Sequence, residues 1–432
     1  MIIILAVNTK DESIMINKFK IIVYALIVIP VSVVFLSCSS NNNGILSKWV
    51  QYGPSGSVIA RIISDQEECP DIIIDNNIEK MSVRDQPDSD FEVLTCETII
   101  PQGTETVSIE GNELVLPKPS PTRMVVIGDT GCRLETGDVP QSCNDPDAWP
   151  FEKIANTAAS FDPELVIHVG DYLYREDDAC PPGDEGCAGS PFGDNYPTWD
   201  ADFFQPAKLL LETATWVFSR GNHEECSRSG KGWFRFLDPH ALPPECEDYT
   251  TPYTVDLGLL KLLILDSSLA KDNSAPSVEV EVYTEQIAEL EDAAGSNAWL
   301  VTHHPLWGIG EENDALFMIN ETLQASTDNT LAEGVNLVLS GHIHFFEFLN
   351  FEDGRAPQFV IGNSGTELDP PVTEPLTGIE IGGGVIDQGV TVPEFGFALM
   401  ELTGNIWNVS MRDVDGNEFT ACQIEGNVAS CN

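Results

Sequence analysis

Basic residues are scarce in this chain: 21 Lys and Arg stand against 69 Asp and Glu, for a formal net charge of -48. A surface so acidic repels DNA, RNA and anionic lipid, so nucleic acid is not expected as a binding partner. An anionic substrate would have to be drawn in by local positive charge. There is no C-x-x-C pair among the 11 Cys, which speaks against a zinc site built on cysteine. No internal repeat is visible. Histidine is the scarcest reactive residue, 7 in 432, so the places where it falls carry information.

What is present begins with an address. Lys18 and Lys20 precede an apolar run from Ile21 to Leu36. That run is shorter than the roughly 20 residues a spanning helix needs and fits a secretory signal. Phe35-Leu36-Ser37-Cys38 resembles a bacterial lipobox, in which the Cys becomes the lipidated first residue. Residues 1–38 are therefore read as a signal peptide of lipoprotein type and 39–47 as a tether, with an uncleaved anchor as the alternative. Met15 would begin a more typical signal than Met1. The body is expected outside the cytoplasm, in a bacterial periplasm or at the cell surface, touching the membrane through a lipid anchor at Cys38. No protein partner is predicted. Without Cys38, ten Cys remain, an even number that suggests disulfides in an exported protein. Connectivity stays open. Pairing nearest neighbours would give Cys69–Cys96, Cys132–Cys143, Cys180–Cys187, Cys226–Cys246 and Cys422–Cys431.

The chain changes character near residue 120. Between about Lys48 and Pro117, short stretches such as Ser57–Ile63, Asp71–Asp75, Phe91–Leu94, Thr106–Ile109 and Glu113–Leu116 alternate with Gly, Pro, Asn and Asp clusters. They predict a small all-β sandwich over 48–118, and this segment has no His. Pro117-Lys118-Pro119-Ser120-Pro121 reads as a stiff connector. From Arg123 strands alternate with helices, including Phe151–Ser160, Ala207–Thr213 and Val282–Ala294. This predicts an α/β domain over 121–412. Residues 413–432 read as a polar extension. The acidic loop from Glu176 to Phe203 reads either as a lid or rim, or as an insertion stapled by Cys180 and Cys187.

Five short motifs each follow an apolar strand: Gly128-Asp129-Thr130-Gly131, Gly170-Asp171-Tyr172-Leu173-Tyr174, Gly221-Asn222-His223-Glu224, His303-His304-Pro305 and Gly341-His342-Ile343-His344. In open α/β sheets, sites lie at the carboxyl ends of strands. Five of the seven His fall in these motifs. Carboxylate, amide oxygen and imidazole together suit iron, zinc or manganese. His168, inside a strand, and His240, in a loop, read as structural.

The ordered set Asp, Asp, Asn-His, His, His-x-His resembles the calcineurin-like metallophosphoesterase superfamily. Gly-Asp-x-Gly followed by Gly-Asp-x-x-Tyr resembles its purple acid phosphatase branch, as does a β domain in front. The resemblance implies an αββα sandwich of two mixed sheets. It implies one ion on Asp129, Asp171, Tyr174 and His344, and another on Asp171, Asn222, His303 and His342. The ions would be Fe³⁺ with a divalent Zn, Mn or Fe, Tyr174 binding as phenolate. A hydroxide bridging the ions would hydrolyse phosphate monoesters of a small substrate. His223 would serve as the catalytic acid or stabilise phosphoryl oxygens, with Arg133 and His304 as substrate-binding candidates. Leu306–Glu312 offers no further His to grip a substrate. A phosphodiesterase or nucleotidase on the same site is the alternative, and a non-catalytic, metal-free binding module is the alternative from another class.

Overall fold

The computed structural model describes residues 44–312 and 315–432. The signal segment and Cys38 lie outside the described residues.

Two large sheets face one another, and the reason is written in strand alternation. In Arg123–Ile127 and Leu165–His168, Met124, Val126, Leu165 and Ile167 point to one face. There they meet Val255, Leu262, Ile264, Trp299, Val301, Leu337, Leu339, Phe359 and Ile361 of the second sheet. The intervening Val125, Ile127 and Val166 point the other way, onto helices Phe151–Ala159, Gln205–Thr213 and Gly230–Phe236. The second sheet does the same. Leu263, Leu300 and Val338 pack against helices Ser277–Ala294 and Glu321–Ser326. A strand buried on both faces must be apolar at every position, which is why these runs are continuous rather than alternating. The outcome is the expected αββα layering.

The first sheet has eleven strands. At its centre, Arg123–Ile127, Leu165–His168 and Thr215–Phe218 run parallel. The second sheet has eight, with Lys261–Ile264, Ala298–Val301, Val335–Ser340 and Gln358–Ile361 parallel to one another.

The N-terminal β-rich region is indeed a sandwich, but one of its layers belongs to the large sheet. Ile45–Tyr52 pairs in parallel with Thr215–Phe218, and Val58–Ser64, Leu94–Ile100 and Ser82–Asp85 extend the same sheet. A separate four-stranded sheet covers them, placing Ile72, Ile74, Val107 and Ile109 over Val50, Ile62 and Leu94. The polar C-terminal stretch also differs from its expectation. Glu418–Glu425 and Val428–Cys431 add two strands at the opposite edge. They alternate, with Cys422, Ile424, Ala429 and Cys431 inward. A half-buried edge strand is half polar by composition, which is why the stretch reads as a polar extension.

All five disulfides are the nearest-neighbour pairs, including Cys132–Cys143 and Cys226–Cys246 beside the site. Among the described residues, no helix is long and apolar enough to cross a membrane.

Candidate metal centre

Each of the five motifs is a turn leaving the carboxyl end of a parallel strand, and the turns are tight. Asp129, Asp171 and His342 all have positive φ, at 55°, 59° and 74°. Asp tolerates this region. A His there costs energy and marks a ring held in place by its surroundings. Gly170 has φ 107°, and a Cβ on it would lie 2.5 Å from the His303 ring. Backbone bonds lock the first two turns together: Asp129 N–H donates to Gly170 O and Thr130 N–H to Asp171 O, both at 3.0 Å. His168 braces them. Its Nδ1 accepts from Gly170 N–H, its Nε2 meets Thr130 Oγ1, and its ring stacks on Tyr172.

Buried carboxylates hold the motifs from behind. Glu224 accepts from the amides of Asp171, Tyr172, Leu173 and Gly221. Asp202 does so for Cys132, Tyr174 and Arg175, and pairs with the Arg175 guanidinium. Burial, reinforced by Asp171, lifts the Glu224 pKa to about 8.

The side chains so presented converge. Asn222 Oδ1 is 2.9 Å from His303 Nε2 and 3.0 Å from His342 Nδ1. His303 Nε2 is 3.1 Å from Asp171 Oδ2. His303 Nδ1 lies 2.9 Å from the Val169 carbonyl and so carries the proton, leaving a lone pair on Nε2. His342 Nε2 lies 2.9 Å from Asp272 Oδ2, with the same consequence at Nδ1. Lone pairs on all four atoms would repel in this part-buried space, so a cation or a second proton on His303 must sit among them; in the metal-free protein, against burial, Asp171 holds the His303 imidazole above its usual pKa. The Tyr174 phenol oxygen approaches the same Asp171 oxygen, 2.8 Å from Oδ2, and lies 3.0 Å from Asp129 Oδ1 and 3.1 Å from His344 Nε2. One phenolic proton cannot serve three acceptors.

The electrostatics agree. Asp129 is raised well above the carboxylate range by burial and by the neighbouring Asp171. Burial alone would raise Asp171 too, but His303 and His223 hold it well below. Burial, Asp129 and Asp171 push the Tyr174 phenol well above its usual value, so ionising it takes a cation. Burial brings His344 down to about 4, keeping the imidazole neutral as a ligand must be. The donor set therefore fits metal ions. Asp129, Asp171 and His303 form one candidate metal-binding group, and Asp272, His304 and His342 a second.

All seven ligand candidates from the sequence are brought together. The His223 ring lies against Tyr174, tilted by 36° with centroids 3.8 Å apart, and its Nε2 is 3.8 Å from Asp171 Oδ2. Arg133 puts Nη2 3.4 Å from His344 Nδ1, its side chain 22% exposed. His304 is only 3% exposed and packs against the His342 ring at 4.0 Å, behind the site rather than at its mouth. His240 pairs with Asp238 and is not part of these motifs.

Several neighbours had no sequence signal. Glu176, the first residue of the long acidic loop, reaches His223 Nδ1 at 2.5 Å. Arg228 contacts the same Glu176 oxygen at 2.5 Å and lies 3.3 Å from His223 Nε2. Its side chain is 20% exposed. Asp369 accepts from the His344 amide at 2.8 Å. Asp272 lies in the loop after strand Lys261–Ile264. Glu224 alone was visible, inside Gly221-Asn222-His223-Glu224. The acidic loop itself divides: Cys180–Cys187 staples its first part, whereas Trp199 and Phe203 bury in the core beneath the site.

Fold and donor set together define an αββα phosphoesterase scaffold with a candidate metal centre at the carboxyl ends of its strands. The sequence model of the calcineurin-like phosphoesterases matches residues 122–346, just over half the chain and inclusive of every ligand candidate. The protein belongs to that family. No curated protein matches the sequence. Among solved structures, the fold is similar to a purple acid phosphatase from yellow lupin (Lupinus luteus) seeds. The two are 14% identical, with 88% of this chain and 74% of that one covered and a TM-score of 0.57. It is also similar to PhoD, at 11% identity, 89% and 91% coverage and a TM-score of 0.54. These are likenesses of fold.

Proposed function

We propose that the protein is an exported phosphatase that hydrolyses phosphate monoesters at a dinuclear metal centre of the purple acid phosphatase type. The observation that carries this reading is the position of the Tyr174 oxygen. It lies against Asp129, His344 and Asp171 Oδ2, the same carboxylate oxygen that His303 reaches beside Asn222 and His342. Asp129, Asp171, Tyr174 and His344 would hold one ion, and Asp171, Asn222, His303 and His342 the other. A phenolate ligand suits Fe³⁺, with Zn, Mn or Fe as the divalent partner. When bound, the ions supply Lewis acidity toward a phosphoryl group and lower the pKa of water.

The chain's own groups do the rest. His223 has Nδ1 2.5 Å from Glu176 Oε1 and Nε2 3.8 Å from Asp171 Oδ2 and 3.3 Å from Arg228 Nη2, and in its charged form it can pass a proton to the leaving oxygen. Arg133 and Arg228 provide planar donors for phosphoryl oxygens. They supply local positive charge in a chain of net charge -48. His304 supports His342 from behind. The five disulfides support an oxidising compartment and hence export. Attachment to a membrane through Cys38 is part of the same reading.

The test is hydrolysis of chromogenic monoesters and diesters by the apoprotein reloaded with defined metals. Faster turnover of the monoester is expected. Preference for the diester overturns the substrate assignment, and activity that survives complete metal removal overturns the dinuclear mechanism.

A further inference from the structure

His342 reaches the centre through Nδ1, so its other nitrogen, Nε2, must be occupied elsewhere. That nitrogen is 2.9 Å from Asp272 Oδ2. An ionised carboxylate only accepts, so the contact places the ring proton on Nε2 and leaves the Nδ1 lone pair toward Asn222 Oδ1. His303 solves the same problem with the Val169 carbonyl. His342 is the strained ligand, at φ 74°, and it follows Gly341 in a turn with little of its own to orient the ring.

Asp272 is itself held. Its Oδ1 accepts from Asn320 Nδ2 at 2.9 Å, and Asn320 also caps the helix Glu321–Ser326 by accepting from Leu323 N–H. Glu321 N–H donates to the Asp272 carbonyl and Thr322 N–H to that of Lys271. Lys271 N–H donates to Thr322 Oγ1, which donates onward to Ser274 O. The loop 271–274 is thus stitched to the start of a helix. A rigid mount of this kind is what an orienting carboxylate requires.

We propose that Asp272 is a positioning residue for the ion on the His303–His342 side, acting by fixing the tautomer and orientation of the His342 ring. This rests on the dinuclear reading above. A carboxylate behind a ligating His typically contributes about 10–100-fold in metal affinity.

The experiment titrates the metal-free full-length protein and Asp272→Asn with Zn²⁺ against a competing chelator. In parallel, the tautomer of His342 is read from ring-nitrogen NMR shifts of ¹⁵N-histidine-labelled apoprotein. Expected are two ions in the parent protein, with one of them bound about 10–100-fold more weakly in Asp272→Asn and the other unchanged. The His342 ring should hold its proton on Nε2 in the parent and become mixed in the variant. Asp272→Glu should recover part of the lost affinity. Unchanged affinity for both ions overturns the proposal. Equal weakening of both does so too, because it would mark a general loss of negative charge or structure. Three ions in the parent and two in the variant would make Asp272 a ligand of a further site formed with His304, again overturning the positioning role. A parent protein that binds no ion overturns the dinuclear reading instead, and the tautomer measurement then still judges Asp272 by itself.

Discussion

Gly221→Ala tests how tightly the centre is built. Gly221 has φ -96° and ψ 175°, an ordinary extended conformation that alanine adopts without backbone strain. The problem is space. A Cβ there would lie 2.0 Å from Asp171 Oδ1 and 2.3 Å from Asp171 N. Contacts under 3.0 Å are essentially never seen, so the carboxylate oxygen must retreat by about 1 Å or more, and the amide by somewhat less. Asp171 cannot rotate freely, since His223 N–H donates to Oδ1 at 2.9 Å and Tyr174 donates to Oδ2. Overpacking of this size costs about 1–3 kcal/mol, against which the stiffer unfolded chain returns about 0.4–1 kcal/mol. At about 2 °C per kcal/mol for a domain this large, melting falls only by a few degrees. Function should fall much further. A displacement of about 1 Å in a positioned group costs on the order of 10²-fold in rate, or about 2.7 kcal/mol of barrier. Because Asp171 serves both sides of the centre, both ions should weaken. The assay is metal stoichiometry and kcat on the folded variant, with melting as the control. A variant that holds two ions at parental affinity and turns over within about threefold of the parent refutes the argument that Asp171 is pinned where it must be.

His223→Ala should keep both ions and lose about 10²–10⁴-fold in kcat, checked by metal analysis beside steady-state kinetics. Loss of metal would instead make it a ligand. Tyr174→Phe should abolish the visible absorption of the iron-loaded protein and leave the zinc-loaded form colourless as before, read by absorption spectroscopy. Arg228→Met should raise KM for a monoester about tenfold with a smaller change in kcat, because a guanidinium at the edge of the centre acts mainly in binding. Glu97 predicts a pH dependence of stability. Burial would raise its pKa, but Arg61 and Arg84 outweigh burial and hold it below the ordinary 4.5. A depressed carboxylate stabilises fully above its unfolded value and loses that contribution as pH falls through the folded one. Glu97→Gln should therefore destabilise by about 2–3 kcal/mol at pH 7, leaving buried Arg61 and Arg84 with less compensation. The difference from the parent should shrink below pH 4 in denaturant titrations.

The ligand set was readable because each ligand sits within a few residues of a strand end. Gly-Asp, Gly-Asn-His and Gly-His-x-His turns are local objects, each written in consecutive residues, and the first two Asp sit at positive φ, a region Asp tolerates. The disulfides were readable for the same reason, closing loops of 7 to 27 residues. By contrast, Val50 pairs with Thr215, and Trp407 pairs with Ile424 at a far edge of the same sheet. The first pairing crosses a Pro-rich connector that looked like a boundary, and nothing local records it.

From sequence alone came the α/β class, through its alternation of strands and helices, and, through the resemblance of its ordered motifs, the family, the two-sheet layering and the residues that gather around Asp171. The tertiary structure decided which groups stand behind and beside those atoms. Asp272 and Arg228 lie in loops with no motif, and Glu176 opens a loop that could have been mere insertion. Two of them act through a neighbour distant in sequence: His342 is 70 positions from Asp272, and Glu176 is 47 from His223. A side chain's partner across folded space is set by the packing of the whole sheet pair, and a linear pattern does not carry that information.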